Sequence, residues 1–321
     1  MKFGMPYMGS KNSIAAWIVN QLPPARHFYD VFGGGGAITH AAVLSGKYRH
    51  VHYNELNPLV CKGFEMAING GFKDETRWIS REDFFRLRNT DPYAAICFSF
   101  GNNLRDYMYS QEIEDSKQAL HNLVLFNNRH DFSKYFDLSA FEFSNRADIY
   151  TKYAEIKQFI KKHKGSEQQQ RLVNLERLER LQGLEGLMRL QGLEGLSVTC
   201  GSYNAMKFEP DSIVYCDPPY EDTRTYTGND EVSFDTDEFL NWAKNQTVPV
   251  FISERKEING GGGSGNLRKR IKSPYWILKR KTADPLPKNF TATGLIFTRP
   301  VFFFNIYCMA HITLRSFYAD I

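Results

Sequence analysis

Ile213-Val214-Tyr215-Cys216 runs straight into Asp217-Pro218-Pro219-Tyr220. The apolar, β-favouring run has the length of a buried strand. Two consecutive prolines cannot donate to a sheet ladder, so the strand must stop before Pro218. Asp217 is thereby fixed at the carboxyl end of a buried strand, where open α/β sheets place their ligands. The prolines form a stiff turn whose carbonyls have no intrahelical partner and can face outward. Tyr220 adds a flat ring beside the acid. An acid, a free carbonyl and an aromatic face within four residues suit one task, gripping a planar group that carries an NH2. The plainer reading is a strand followed by a Pro-Pro turn with a satisfied aspartate. A four-letter match does not by itself choose between them.

The N-terminal third carries three further features in order. Tyr7-Met8-Gly9-Ser10-Lys11 precedes an amphipathic helix predicted from about Ser13 to Gln21, with Ser10 or Asn12 available to cap it. A lysine at a helix start sits badly with the helix dipole unless it and the helix end meet an anion together; otherwise it is a solvated surface lysine. Next, His27 to Phe32 reads as a strand containing Asp30, followed by Gly33-Gly34-Gly35-Gly36 and a helix over Ala37 to Leu44. Strand, glycine turn and helix open a nucleotide-binding βαβ unit, and the glycines let backbone approach a ligand closely. The pattern is not G-x-G-x-x-G, and no Lys-Ser/Thr follows, so a P-loop is excluded. Finally, His50 to Glu55 reads as a second strand ending in an acid about 20 residues past the glycines, where a ribose-binding carboxylate belongs.

At 321 residues, with 42% hydrophobic and 24% charged content, the chain can bury a sizeable core in one large or two ordinary domains. A net charge of +4 neither demands nor forbids nucleic acid. The five cysteines are scattered without metal-ligand spacing, which predicts reduced thiols, no bound metal and a cytoplasmic protein. No apolar stretch reaches 18 residues, so no membrane span is expected.

Taken together, Y-x-G-x-K, D-V-F-G-G-G-G-A, N-E-L-N-P and D-P-P-Y resemble the Dam-type family of S-adenosylmethionine-dependent DNA adenine-N6 methyltransferases of bacteria and phages. Ser99-Phe100-Gly101-Asn102-Asn103 resembles a stretch of its phage-type members. The likeness covers roughly residues 1–110 and 200–254. It implies an α/β fold of the Rossmann-like class I methyltransferase type: a mixed sheet with helices on both faces, plus an inserted, mainly helical target-recognition subdomain. The implied domains are residues 1–65 and 198–321 for S-adenosylmethionine binding and catalysis, and 66–197 for the insert. By resemblance, Tyr7 and Lys11 contact the cofactor, Lys11 near its carboxylate. Asp30, Phe32, Gly33 and Gly35 belong to the same site. Glu55, where the family more often has Asp, holds the ribose hydroxyls. Asp217 lies between cofactor and base, Pro218 offers its carbonyl to the target amine, and Tyr220 stacks on the flipped base. The expected partner is double-stranded DNA, in a bacterial or phage-infected cell.

In the middle of the chain, Ser80 caps a helix with Asp83 three residues on. The run Ser99 to Ser110 mixes stacking and hydrogen-bonding side chains. Asn102, Asn103, Arg105 and Tyr107 are therefore DNA-contact candidates, or else an ordinary helix flank. From Leu172 to Leu196 leucine recurs every third residue, within a repeated Leu-Gln-Gly-Leu-Glu-Gly unit. On a 3.6-residue helix that spacing drifts backwards about 60° per step, so the segment reads as a low-complexity insertion, or as a short helix packed on the recognition subdomain, rather than a coiled coil. Further on, Phe234 to Asn245 reads as a helix and Val248 to Ser253 as a strand. The linker-like Gly260 to Gly265 precedes the basic Arg268-Lys269-Arg270, which is either a phosphate-contacting cluster or a solvated face. Residues 282–321 show no family likeness. Two other functions stand beside the favoured one. A cytosine-N4 or RNA amine methyltransferase would share the D-P-P-Y chemistry, and an inactive DNA-binding module would need no cofactor.

Overall fold

The computed structural model describes residues 2–145, 147–162, 179–219 and 234–255, together with two further strands, Tyr275–Lys279 and Phe302–Asn305. The catalytic-ring candidate Tyr220 and the basic cluster Arg268, Lys269 and Arg270 lie outside the described residues.

Helix α1 (Ala15–Gln21) leads into strand β1 (Ala25–Asp30), helix α2 (Ala37–Ser45), strand β2 (Tyr48–Glu55) and helix α3 (Pro58–Ile68). A run of helices follows: α4 (Arg81–Leu87), α5 (Pro92–Cys97), α6 (Gln111–Phe126), α7 (Arg129–Ser133), α8 (Ile149–Lys162) and α9 (Glu179–Met188). Then come β3 (Leu196–Cys200), β4 (Ser212–Cys216), α10 (Thr236–Lys244), β5 (Val250–Arg255), β6 (Tyr275–Lys279) and β7 (Phe302–Asn305). The sheet order is β3-β2-β1-β4-β5-β6-β7. The first five strands are parallel, and the last two add antiparallel pairings, so the sheet is mixed.

Side chains of the central strands alternate between two cores. Phe28, Val51, Ile213 and Tyr215 pack under α1 and α2, whereas Tyr29, Val214, Cys216 and Ile252 pack under α10. The chain therefore winds from β1 in both directions, with helices on both faces, and the strand order reverses between β1 and β4. That reversal opens a crevice above the carboxyl ends of those two strands.

The helical segment between β2 and β3 has a core continuous with Tyr53 of β2 and Phe64 of α3. From Leu181 on, the leucine repeat enters this core, whereas Leu172, Leu175 and Leu178 lie outside the described residues. Leu181, Leu184, Leu187 and Leu190 are all buried. Over three leucines the backward drift totals about 120°, narrow enough for one helix face. The second copy of the unit behaves differently: Gly192 and Gly195 take positive φ, and Leu196 opens β3. One heptapeptide thus forms a short helix packed in the core in its first copy, and a turn and strand edge in its second. Gly186 is needed for close approach, because a Cβ there would come within 2.6 Å of Pro6, next to Tyr7.

One local expectation is corrected. Helix α1 begins at Ala15 with no side-chain cap, and Asn12 accepts from the Phe3 N–H instead. Lys11 therefore precedes the helix rather than opening it. Ser80 and Asp235 do cap their helices, accepting from the N–H of Asp83 and Glu238.

Candidate active site

A cavity of about 390 Å³ lies over the carboxyl ends of β1, β2 and β4. That is within the range of small-molecule sites, at the switch point of the sheet. Most of the residues singled out from sequence converge on it: Tyr7, Lys11, Asp30, Phe32, Gly33, Gly35, Glu55, Asp217 and Pro218 all line the wall.

Asp217 is the first residue past β4. Its Oδ2 accepts from Lys11 Nζ at 2.5 Å and its Oδ1 from Ser253 Oγ at 2.7 Å. Lys11 is 7% exposed, so this is a largely desolvated ion pair. The lysine that looked misplaced before a helix is matched by the acid after the strand.

The glycine loop is shaped by what surrounds it. Gly33 donates to the Asn54 carbonyl at 2.8 Å, and a Cβ on it would strike the Tyr53 ring. Tyr53 OH donates to the Gly34 carbonyl at 2.7 Å. Gly34 N–H donates to Glu55 Oε2 at 2.8 Å, while Glu55 Oε1 accepts from Asn57 N–H at 2.9 Å. Burial raises the Glu55 carboxyl above the ordinary range, and backbone N–H groups of Asn57, Gly34 and Leu56 pull it back. Asp30 is deeper, 1% exposed. Its Oδ2 accepts from Thr39 N–H and Oγ1–H, at 3.1 and 2.7 Å. Burial pushes its carboxyl up to about 7, against the pull of the Thr39 hydroxyl and with a further push from Asp217.

Phe32 closes one side through edge-on and tilted contacts with Tyr203, Phe234 and Phe239 at 5.4–5.8 Å between ring centroids. Tyr203, Tyr215 and the exposed Leu56 also line the cavity. Sequence reading missed them, along with Ser253. Leu56 was within reach, as an apolar residue directly after a strand-end acid. Ser253 left no local signal, because it meets Asp217 only across the sheet.

The Ser99–Tyr107 loop borders this site: the Met8 N–H donates to the Asn102 carbonyl at 3.3 Å. Asn102 holds a positive φ and donates to the Ile96 carbonyl. Asn103 caps the turn and, like Arg105, bonds exposed Asp106. Tyr107 parts from this group. It is buried, with its hydroxyl donating to the Ile79 carbonyl, so it serves the core rather than a DNA face. In its place the loop presents Phe100, which is 66% exposed.

A family model for the D12 class N6 adenine-specific DNA methyltransferases matches residues 7–178, more than half of the chain. The chain belongs to this family. No curated protein matches it. The methyltransferase is thus an enzyme that methylates adenine N6 in DNA, on a Rossmann-like α/β fold. The family match supports neither the cytosine-N4 and RNA readings nor the inactive module. It covers Tyr7 to Glu55 of the cavity wall and ends before Asp217 and Ser253. Among the described residues no helix is long and apolar enough to cross a membrane, and no cluster of three or more metal-ligating side chains forms.

Proposed function

We propose that the methyl donor is S-adenosylmethionine, held in the cavity over β1, β2 and β4, and that the acceptor is an adenine flipped out of double-stranded DNA. The observation that supports this best is the joining of a close-approach glycine loop, a ribose-type acid and a braced strand-end acid around one cavity at the switch point. The donor set fits a sulfonium cofactor. Glu55 and Asp217 line the cavity beside one lysine, which pairs with Asp217, and the acid at Glu55 favours a cation. Glu55 would take the ribose hydroxyls, the Gly33–Gly36 loop and Phe32 the methionine side, and Tyr7 would cover the loop. Lys11 would serve the cofactor through the same turn that holds Asp217. When bound, the cofactor supplies an electrophilic methyl group.

The protein's task is to make a poor nucleophile usable. The adenine amine shares its lone pair with the ring. Accepting one N–H at Asp217 and the other at the Pro218 carbonyl favours a tetrahedral nitrogen with a free lone pair. A carboxylate has about four lone-pair sites, so the bonds from Lys11 and Ser253 leave capacity for the amine. Holding the amine in line then supplies roughly 7–11 kcal/mol of the barrier lowering. Unstacking the base costs a few kcal/mol. Stacking on Tyr220 would return roughly 1–3 kcal/mol.

The helical segment over 66–197 would be the target-recognition unit, with Asn102, Asn103 and Arg105 at the DNA face and Arg268, Lys269 and Arg270 on phosphates. The site of action would be the cytoplasm of a bacterial or phage-infected cell. Calorimetry tests the cofactor assignment. S-adenosylmethionine should bind the wild-type protein, and Glu55→Ala should weaken it by about 10–100-fold, the size of a lost hydrogen bond to a charged group. No binding to the wild-type protein, or equal binding to the variant, would contradict the assignment.

A further inference from the structure

Two hydroxyls that no motif singles out stand behind Asp217. Strands β4 and β5 pair in parallel, with Tyr215 beside Phe251 and Cys216 beside Ile252. Side chains alternate faces along a strand, so Tyr215 and Asp217 share a face, and Ser253 shares that face on the neighbouring strand. Ser253 Oγ donates to Asp217 Oδ1 at 2.7 Å, and Tyr215 OH donates to Ser253 Oγ at 3.0 Å. Both residues are fully buried. The direction of the bonds is forced. An ionised carboxylate accepts and cannot donate, so Ser253 gives it its single proton and turns its oxygen to Tyr215. Lys11 holds the other carboxylate oxygen. The acid is therefore clamped from two separate elements, strand β5 and the turn before α1.

We propose that Tyr215 and Ser253 are positioning residues for methyl transfer. They form a hydroxyl relay that fixes the rotation of the Asp217 carboxylate so that it stays aimed at the acceptor amine. This rests on the reading of Asp217 as the amine's hydrogen-bond acceptor. The torsion about the Asp Cβ–Cγ bond is intrinsically broad. Productive geometry tolerates only about 10–20° of error, and two clamped oxygens remove that freedom. Tyr215 also forms part of the cavity wall, so Ser253 carries the cleaner test.

The experiment measures single-turnover transfer from labelled S-adenosylmethionine to unmethylated duplex DNA, beside calorimetric affinities for both and urea unfolding midpoints. The proteins compared are wild type, Ser253→Ala, Ser253→Thr, Tyr215→Phe, the double variant Tyr215→Phe/Ser253→Ala, and Asp217→Asn. Ser253→Ala should slow transfer by about 10–100-fold with both affinities unchanged. Ser253→Thr should restore the rate. Tyr215→Phe should cost less, and nothing further once Ser253 is Ala, because a relay acts as one unit. An unchanged rate in Ser253→Ala beside an inactive Asp217→Asn would remove the relay and leave Asp217 in its role. A Ser253→Ala defect confined to affinity would overturn the proposal in favour of a wall-shaping role. A fully active Asp217→Asn would overturn the underlying reading, and the relay with it.

Discussion

Asp30 and Asp217 end adjacent strands and are held in opposite ways. Asp217 meets a cation and a hydroxyl, whereas Asp30 is sealed under Thr39 with its carboxyl pushed up to about 7. His40 is also buried, accepts from the Gly4 N–H at Nδ1, and is lowered to about 4 by burial and then by Arg189. The two groups give opposite pH slopes. Asp30 is raised in the fold, so its contribution is complete below its unfolded value and is lost as pH rises through about 7. His40 is depressed, so stability is lost as pH falls from 6.5 toward 4. Urea titrations across that window should show Asp30→Asn gaining on wild type as pH rises, by at most ~1.4 kcal/mol per pH unit. His40→Gln should gain on wild type as pH falls. Curves parallel to wild type would contradict both. Removing the cation beside Asp217 leaves a mostly buried carboxylate short of a partner. Lys11→Met is therefore expected to lower unfolding stability by ~1.5–3 kcal/mol and to slow methyl transfer. At this scale Asp217 was readable because its neighbours Cys216 and Pro218 are adjacent in sequence. Ser253 was not, since it meets Asp217 only through strand register, 36 residues away. Tyr107 was misread because interleaved aromatic and polar residues do not reveal which side faces the core.

Among the elements, α9 is the instructive case. Its leucine spacing looked wrong for one face, yet Leu181, Leu184 and Leu187 stay within one buried arc because the helix is short. Local sequence cannot tell the helical copy of Leu-Gln-Gly-Leu-Glu-Gly-Leu from the extended one. The difference comes from pairing, where Leu196 joins Val51 of β2. By contrast, β1, the glycine turn and α2 were legible, because their signals lie within a dozen residues. Leu187→Ala should cost ~2–5 kcal/mol in urea unfolding, as a fully buried leucine does. Gly186→Ala should cost ~1–3 kcal/mol by pressing a methyl on Pro6, and it should also weaken cofactor binding by displacing Tyr7. A Gly186→Ala protein with wild-type affinity would show that α9 does not set the Tyr7 segment.

For the molecule as a whole, the parallel order β3-β2-β1-β4-β5 puts the N-terminal glycine loop and the distant Asp217 on one crevice. The Ser99–Tyr107 loop stands at its border, with Arg105 58% exposed. If that loop faces DNA, Arg105→Ala should weaken duplex binding and flatten its salt dependence by up to one unit of slope, without altering cofactor affinity. The most direct measurement is transfer from labelled S-adenosylmethionine to unmethylated duplex DNA, with digestion and identification of the modified nucleoside. N6-methyladenine from the wild-type protein, and its loss in Asp217→Ala with the fold intact, is the expected result. N4-methylcytosine, no transfer at all, or full activity in Asp217→Ala would contradict it.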